Sequence, residues 1–169
     1  MAEFASARVA IIGGGAVGAS ALYHLAQAGW TDCILLEKNE LTAGSTWHAA
    51  GNVPTFSSSW SIMNMQRYSA SLYRRLGEAV GYPMNYNVTG SVRLGHSHER
   101  LMEFRKVAGM GRYQGMELEV LAPSEVTSRY PFVATHDLSG ALYDPYDGDI
   151  DPAQLTQALA TGARKLGAR

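Results

Sequence analysis

The sequence predicts an α/β fold in which a parallel sheet is built from strands that alternate with helices. Two short apolar runs, Val9–Ile12 and Cys33–Leu36, are typical of neighbouring strands in such a sheet. A glycine-rich turn and a segment with helical spacing of apolar residues separate the two runs. Glu37 follows the second run directly. Strand, glycine turn, helix, strand and acid in this order indicate a Rossmann-like dinucleotide-binding fold.

The first strand is predicted to be buried, and it leads into the pattern G-x-G-x-x-G at Gly13, Gly15 and Gly18. These glycines allow a sharp turn, the approach of a pyrophosphate to the backbone, and close packing of helix on strand. A phosphate at this point would meet the amide groups that begin the helix, around Ala16 and Val17. The helix is predicted to end at Gly29 and to carry a regularly spaced apolar face made of Val17, Ala21, Leu25 and Ala28.

The second strand ends at Glu37, nineteen residues after Gly18. A carboxylate at this distance is placed to accept hydrogen bonds from the ribose hydroxyls of a bound dinucleotide. Its negative charge also repels a 2′-phosphate, which disfavours NADP.

Composition excludes several classes of protein. The 169 residues are 46% apolar, enough for one domain with a core, and carry a net charge of −1 without basic runs. This charge argues against nucleic acid and anionic membranes as partners. Cys33 is the single cysteine, so it can form neither an internal disulfide nor a metal cluster. Residues 1–7 are too few to hold a signal peptide, and no stretch reaches membrane-spanning length, so the cytoplasm is the expected location.

The middle of the chain predicts a mixture of helices and strands. The elements are a helix from Trp60 to Leu76, with Ile62, Met65, Ser69, Leu72 and Leu76 as its apolar face, ending near Gly77 or Gly81; a strand from Val88 to Leu94; a helix capped by Ser97; a strand from Leu118 to Leu121; and a helix from Ser124 to Tyr130. Methionines and tyrosines on the first of these helices could line an amine site, but core packing is the preferred interpretation of Met63, Met65, Tyr68 and Tyr73. His96 and His98 are expected at the surface.

Four aspartates lie close together at Asp144, Asp147, Asp149 and Asp151. They do not fit an EF-hand, because the positions that require glycine and glutamate hold Pro152 and Ala158. A turn followed by a capped helix is the simpler interpretation. Asp151 is predicted as the N-cap, Pro152 as the first helical residue and Gln154 as the partner in a capping box, with the helix running to Leu166 and leading into another strand.

The segment Leu41 to Gly51 is small, polar and punctuated by glycine, as suits backbone that approaches a ligand closely. His48 and Trp47 are its only large polar or aromatic side chains. A single histidine taken by itself is more often structural than catalytic.

Several motifs resemble the dimethylglycine dehydrogenase and sarcosine dehydrogenase family, flavoproteins of the D-amino-acid-oxidase-like superfamily. They are Glu37-Lys38, the Gly44-Ser45-Thr46-Trp47-His48-Ala49-Ala50-Gly51 run, Thr89 to Leu94, Leu142 to Pro145 with Asp147-Gly148, and Ile150-Asp151-Pro152 with Leu159 to Lys165. The resemblance covers nearly the whole chain and the front end of a family member. One departure is Leu22, where such flavin motifs usually carry a small residue.

The resemblance implies that the ligand is FAD rather than NAD, and that His48 binds the flavin covalently through its 8α-methyl group. Ser45, Thr46, Ala49 and Ala50 would lie along the pyrophosphate and the flavin, and Lys38, Gly44, Trp47 and Gly51 complete the implied binding segment. The implied reaction is oxidative demethylation of an N-methyl amine, in which a hydride equivalent passes to the flavin and leaves an iminium that is hydrolysed or passed to tetrahydrofolate. No residue is predicted as an acid or base for the substrate, and no metal site is predicted.

The expected architecture is the N-terminal portion of an FAD-binding oxidoreductase domain that is incomplete at its C-terminus. Residues 1–52 form the dinucleotide-binding core, residues 53–150 an added α+β segment, and residues 151–166 a helix that returns to the sheet. A partner chain or self-association is expected to cover the apolar faces that such a portion exposes. Three alternatives stay open: an NAD-dependent dehydrogenase, a non-catalytic or regulatory FAD-binding relative, and a chain that binds nothing alone.

Overall fold

The computed structural model describes residues 6–169. The prediction that residues 1–7 hold no signal peptide therefore falls mostly outside the described residues. Eight strands and five α-helices are found in this range, together with a 3-10 helix at Ser45–His48. In chain order they are β1 (Val9–Ile12), α1 (Ala16–Gln27), β2 (Cys33–Leu36), β3 (Asn52–Val53), α2 (Trp60–Val80), β4 (Tyr86–Val88), β5 (Ser91–Gly95), α3 (His98–Tyr113), β6 (Glu119–Leu121), α4 (Pro123–Arg129), β7 (Gly140–Asp144), β8 (Gly148–Ile150) and α5 (Pro152–Lys165).

The chain divides into two compact units. The first contains the chain up to Asn52 together with Leu72–Tyr86 and Ile150–Arg169, and the second contains Val53–Ser71 and Asn87–Asp149. The C-terminal part of α2 therefore belongs to the first unit, although the sequence assigns all of residues 53–150 to one added segment.

The sheet of the first unit confirms the two strands predicted around the glycine turn. β1 and β2 pair in parallel, with Val9 opposite Cys33 and Ile12 opposite Leu36. β2 also bonds to the end of the chain, because Arg169 donates from its amide to the Cys33 carbonyl at 2.9 Å and accepts from the Leu35 amide at 2.8 Å. Successive residues of a strand direct their backbone groups to opposite edges, so Arg169 lies on the edge of β2 away from β1.

The prediction that β1 is buried is wrong for half of its residues. Val9 and Ile11 are half-buried, whereas Ala10 is exposed and Ile12 is 89% exposed. This alternation is that of a strand covered on one face, because successive side chains point to opposite sides of the sheet.

Helix α1 forms where the sequence predicts it, and Gly29 follows its end with a φ of +86°. The predicted apolar face is not the buried one: Ala21 and Ala28 are exposed and Val17 is 85% exposed. The buried residues are Ala19, Leu22, Tyr23 and Ala26. Helix α5 packs against α1 and selects this other face, so Leu22 is a core residue.

The start of α5 confirms Asp151 as its N-cap. The Asp151 carboxylate accepts hydrogen bonds from the amides of Ala153 at 2.8 Å and Gln154 at 3.1 Å. The predicted capping box is wrong, because the Gln154 side chain accepts from the Asn85 amide at 2.6 Å. The Asp151 amide, which the Gln154 side chain would bind in a capping box, instead donates to the Asn85 carbonyl at 3.2 Å. Asn85, in the segment before β4, is therefore the partner of both groups.

An antiparallel sheet in the order β5-β7-β6 organises the second unit. Its central strand, β7, was not predicted. The predicted single strand from Val88 to Leu94 is wrong, since it is divided into β4 and β5 by a turn at Thr89 and Gly90. Both of their amides donate to the Asp147 carbonyl, and Gly90 has a φ of +71°. The core beneath this sheet consists of Phe56, Met63, Phe104, Val107, Ala108, Met116, Leu118 and Leu142.

Helix α2 ends next to Gly81, one of its two predicted ends, but it is rotated relative to its predicted face. It continues through Gly77 to Val80, and Met63, Leu72 and Leu76 are buried. Ile62 and Met65 are about half and two thirds exposed, so their assignment to the apolar core face is wrong. The exposed side chain of Tyr68 likewise contradicts a core role, whereas the core role of Met63 is confirmed.

Two shorter helices follow the predictions closely. The Ser97 hydroxyl accepts from the Arg100 amide at 3.2 Å and caps α3. Helix α4 begins at Pro123, one residue before the predicted start, and the Glu125 carboxylate accepts from the Ala122 amide at 2.7 Å. Strands β3, β8 and β4 form a further sheet in that order. Across residues 6–169, no helix combines the length and apolar character needed to cross a membrane.

Candidate functional site

The glycine turn between β1 and α1 has the shape that its motif requires. Gly13 adopts a φ of +106°, a conformation that other residues rarely take. A Cβ atom at Gly18 would overlap the Gly13 carbonyl oxygen, so only glycine lets α1 start this close to β1. Apart from Gly13 and its two chain neighbours, no described residue has an atom within 4 Å of the position that a Cβ would take at Gly13, so the space beside the turn is open.

Glu37 fastens the end of β2 to this turn. One carboxylate oxygen accepts from the Gly14 amide at 2.7 Å, and the other accepts from the Asn39 amide at 2.9 Å. These hydrogen bonds, with that from Gly14 as the larger effect, hold the pKa of Glu37 below its usual value. The side chain is only half-buried, and a carboxylate has about four acceptor positions, so Glu37 remains able to accept from ribose hydroxyls.

The segment after Glu37 folds back onto the same turn. The Thr42 amide donates to the Gly14 carbonyl at 3.0 Å, and Thr42 has a φ of 77°, an unusual conformation for a non-glycine residue. The Ala16 amide, the first of α1, donates to the Thr46 hydroxyl at 2.9 Å. The structure therefore brings together the glycine turn, Glu37 and Thr46, which are far apart in the sequence but all predicted for one site.

The rest of the predicted segment lies at the surface. Trp47 is 69% exposed, and its ring contacts that of His48 edge to face with centroids 6.3 Å apart. The other exposed members of the predicted set are Lys38, Gly44, Ser45, His48, Ala49 and Ala50. Gly51 is instead buried, with a φ of +80°, and a Cβ there would overlap the Ile150 carbonyl oxygen. Gly51 therefore fixes the backbone.

The second unit holds a buried acidic network that the sequence did not reveal. Asp144 is fully buried and Asp147 is 5% exposed. The Thr55 hydroxyl lies 2.8 Å from a carboxylate oxygen of Asp144 and 3.1 Å from one of Asp147. The Thr55 amide also donates to Asp147 at 2.6 Å. The close spacing of the aspartates is visible in the sequence, but nothing in it indicates that Thr55, about ninety residues earlier, is their partner.

The two carboxyl groups of this network differ in their surroundings. Burial raises the pKa of Asp144 to about 6, a hydrogen bond from the Tyr146 amide opposes this shift, and the charge of Asp147 adds to it. Asp147 accepts from the Ser91 hydroxyl at 2.6 Å and lies 3.8 Å from the Arg93 guanidinium. That guanidinium lies over the Phe56 ring, 3.6 Å from its centroid. The network joins the start of the second unit to β5 and the β7–β8 turn.

The family model "DAO: FAD dependent oxidoreductase" matches residues 8–169. The chain belongs to this family. Dimethylglycine dehydrogenase of Rattus norvegicus is 44% identical over 95% of the chain, and human sarcosine dehydrogenase is 35% identical over 97% of it. The mouse pyruvate dehydrogenase phosphatase regulatory subunit is 37% identical over 96% of the chain. The names of all three relatives include the word mitochondrial. The chain spans about a fifth of the length of these curated relatives.

Solved structures agree with the fold. An L-proline dehydrogenase from P. horikoshii superposes with a TM-score of 0.86 at 24% identity, over 97% of this chain and 43% of that chain. The predicted α/β architecture, the resemblance to dimethylglycine and sarcosine dehydrogenases, and the choice of FAD over NAD are thereby confirmed at the level of the family.

The residues at the glycine turn fit the FAD of this family. The open space at Gly13 and the overlap that any side chain at Gly18 would cause are the two features that a pyrophosphate-binding turn needs. The first amide of α1 donates to the Thr46 hydroxyl oxygen, so an oxygen acceptor already lies at hydrogen-bond distance from the start of this helix. A phosphate oxygen has the same acceptor chemistry and would gain from the positive end of the helix.

Proposed function

We propose that this chain contributes the dinucleotide-binding turn of an enzyme that oxidises a small N-methyl amine with FAD. The observation that carries the proposal is the convergence of the glycine turn, Glu37 and Thr46 through two hydrogen bonds of 2.7 and 2.9 Å. Membership of the FAD-dependent family supports the cofactor. The similarity to dimethylglycine and sarcosine dehydrogenases supports the substrate class.

The chain's own residues have distinct tasks in this proposal. The glycine turn gives the pyrophosphate access to backbone amides, and Glu37 accepts hydrogen bonds from the ribose. Thr46 orients the segment that precedes Trp47 and His48. When bound, FAD supplies a two-electron acceptor for the hydride equivalent that leaves the N-methyl carbon. None of the residues in the site as described is assigned as acid or base for the amine.

Covalent attachment through His48 is the finer part of the proposal. A neutral imidazole nitrogen is a nucleophile, and attachment would join it to the 8α-methyl carbon of the flavin. That carbon and the imidazole would each lose a proton, and the two electrons of the broken C–H bond would reduce the flavin ring itself. Two features support His48: its side chain is exposed, and it follows by two residues the threonine that contacts α1. A short, anchored connection of this kind limits how far the imidazole can move away from the cofactor.

The test is acid precipitation of the flavin-loaded protein, followed by an absorbance spectrum of the pellet and the supernatant. For the native chain we expect flavin in the pellet, and for His48→Leu in the supernatant. His136→Leu changes another exposed histidine and serves as the control, so its flavin should stay in the pellet. Flavin in the pellet of both the native chain and His48→Leu would contradict the assignment of His48. Flavin in the native supernatant would keep FAD binding and exclude the covalent bond.

A non-catalytic role is the second candidate, and the 37% identity to a phosphatase regulatory subunit is the observation that favours it. Anaerobic addition of N-methylglycines separates the two. An enzyme bleaches the flavin absorbance, whereas a regulatory relative binds FAD and leaves it oxidised. The FAD-dependent family disfavours the NAD-dependent alternative. Transfer to tetrahydrofolate, a partner chain, the domain boundaries and a cytoplasmic location stay predictions.

A further inference from the structure

The first unit contains a cavity of about 350 Å³ that shares no residue with the glycine turn. The C-terminal half of α2 and the segment before β4 form its walls. Its lining includes the side chains of Tyr73, Arg74, Glu78, Tyr82 and Tyr86. The volume lies within the range that holds a small organic ligand.

Three tyrosines give the cavity an aromatic lining. The rings of Tyr73 and Tyr86 meet edge to face, with centroids 6.2 Å apart and an interplanar angle of 80°. Tyr82 adds a third ring to the lining. Aromatic faces attract organic cations, and surrounding rings favour nitrogen atoms that carry methyl groups.

The hydroxyl group of Tyr86 has no hydrogen-bond partner among the described residues, although it is buried. A buried donor without an acceptor is unfavourable, so a ligand that supplies an acceptor gains affinity by relieving it. Tyr86 is thus the side chain of this cavity that most needs an outside partner.

Two opposite charges lie one helical turn apart on the wall formed by α2. Arg74 and Glu78 are both exposed, and within residues 6–169 neither side chain takes part in a hydrogen bond or an ion pair. Side chains four residues apart on a helix are separated by about 5–6 Å at their Cβ atoms. This spacing suits a small zwitterion, with its carboxylate at Arg74 and its ammonium group at Glu78.

We propose that this cavity binds a small zwitterion with an N-methylated ammonium group and a carboxylate. Arg74 and the Tyr86 hydroxyl donate to the carboxylate, while the Glu78 carboxylate and the tyrosine rings surround the ammonium group. The site does not rest on the proposed oxidation, because the chain needs no flavin to present it.

The experiment is titration calorimetry of the flavin-free chain with glycine betaine as the probe. Its carbon isostere 3,3-dimethylbutyrate has the same shape and carboxylate but lacks the positive charge, and glycine lacks the methyl groups. We expect betaine to bind at least tenfold more tightly than either comparison ligand, as a cation–aromatic contact with a neighbouring carboxylate requires.

Variants locate the binding. Glu78→Gln and Tyr86→Phe should each weaken betaine binding about tenfold, and Arg74→Gln should weaken betaine and 3,3-dimethylbutyrate alike. Arg75→Gln, an exposed neighbour of Arg74 outside the cavity lining, is the matched control and should leave the affinity unchanged.

The proposal is overturned if betaine binds no better than 3,3-dimethylbutyrate, or if it fails to bind a native chain whose circular dichroism shows the expected helices. It is also overturned if Glu78→Gln and Tyr86→Phe bind betaine as the native chain does. Reduction of bound flavin by an amine tests the proposed function separately, so the two can fail independently.

Discussion

Asp144 makes the stability of the second unit depend on pH in a direction opposite to that of most carboxylates. Burial raises its pKa from 3.8 to about 6, so the folded chain holds a proton that the unfolded chain releases between these pH values. This carboxyl group therefore lowers the free energy of unfolding as the pH rises from about 4 to 6. Above about pH 6 its full effect is to lower the free energy of unfolding by about 3 kcal/mol, since each pKa unit corresponds to about 1.4 kcal/mol.

The substitution Asp144→Asn removes the charge and nearly keeps the shape. The amide oxygen can still accept from the Tyr146 amide, and the amide nitrogen can donate to the Thr55 hydroxyl, which then donates to Asp147. We expect urea unfolding followed by fluorescence to show Asp144→Asn more stable than the native chain by up to about 3 kcal/mol at pH 8. Near pH 4 the two should be equal.

The matched control is Asp149→Asn. The Asp149 carboxylate lies outside the buried network and accepts from the Asn87 side-chain amide at 3.1 Å. It should change stability by no more than about 0.5 kcal/mol. The reasoning is refuted if the native chain and Asp144→Asn follow parallel stability curves from pH 5 to 8, because the charge on Asp144 would then carry no penalty.

Two further predictions test helix packing and cofactor binding. A methyl group at Gly162 would lie 2.7 Å from an aromatic carbon of α1, so Gly162→Ala should destabilise the chain by about 1–3 kcal/mol. Gly109→Ala, also in a helix but with open space around it, should stabilise the chain by about 0.5–1 kcal/mol. Equal changes in stability for the two substitutions, measured by thermal unfolding, would contradict the packing of α5 on α1 described here. Glu37→Gln should weaken FAD binding about tenfold in a fluorescence titration, because the ribose loses a charged acceptor. Glu40→Gln, at an exposed position, is the control and should leave FAD binding unchanged. Equal weakening by both substitutions would count against a ribose contact.

The order of elements around the glycine turn could be predicted from the sequence because each signal there is local. Two apolar runs and the residues that permit a tight turn lie within about thirty positions, and Glu37 follows at the spacing that the motif requires. The N-caps Ser97 and Asp151 are local signals of the same kind, and both are present in the structure. Such signals depend on backbone geometry that a few neighbouring residues determine.

Helix faces and buried networks could not be predicted, because they depend on what packs against them. In α1 the apolar spacing fits two faces, and contact with α5 selects the one that contains Leu22. In α2 the same ambiguity left Met65 exposed and Met63 buried. The Thr55 network joins residues that lie about ninety positions apart, a separation over which periodicity carries no information.

The contact between Thr46 and α1 separates the two parts of the proposed function. Its hydrogen bond to the Ala16 amide fixes the start of the segment that carries His48, whatever the chemistry of the imidazole. Loss of the imidazole should therefore remove the covalent bond and leave the cofactor bound through the glycine turn. Loss of the Thr46 hydroxyl should instead release the whole segment, weakening noncovalent binding and slowing attachment together. In the proposed function, attachment would thus follow from correct binding, since His48 would react only after the glycine turn, Glu37 and Thr46 had positioned the cofactor beside it.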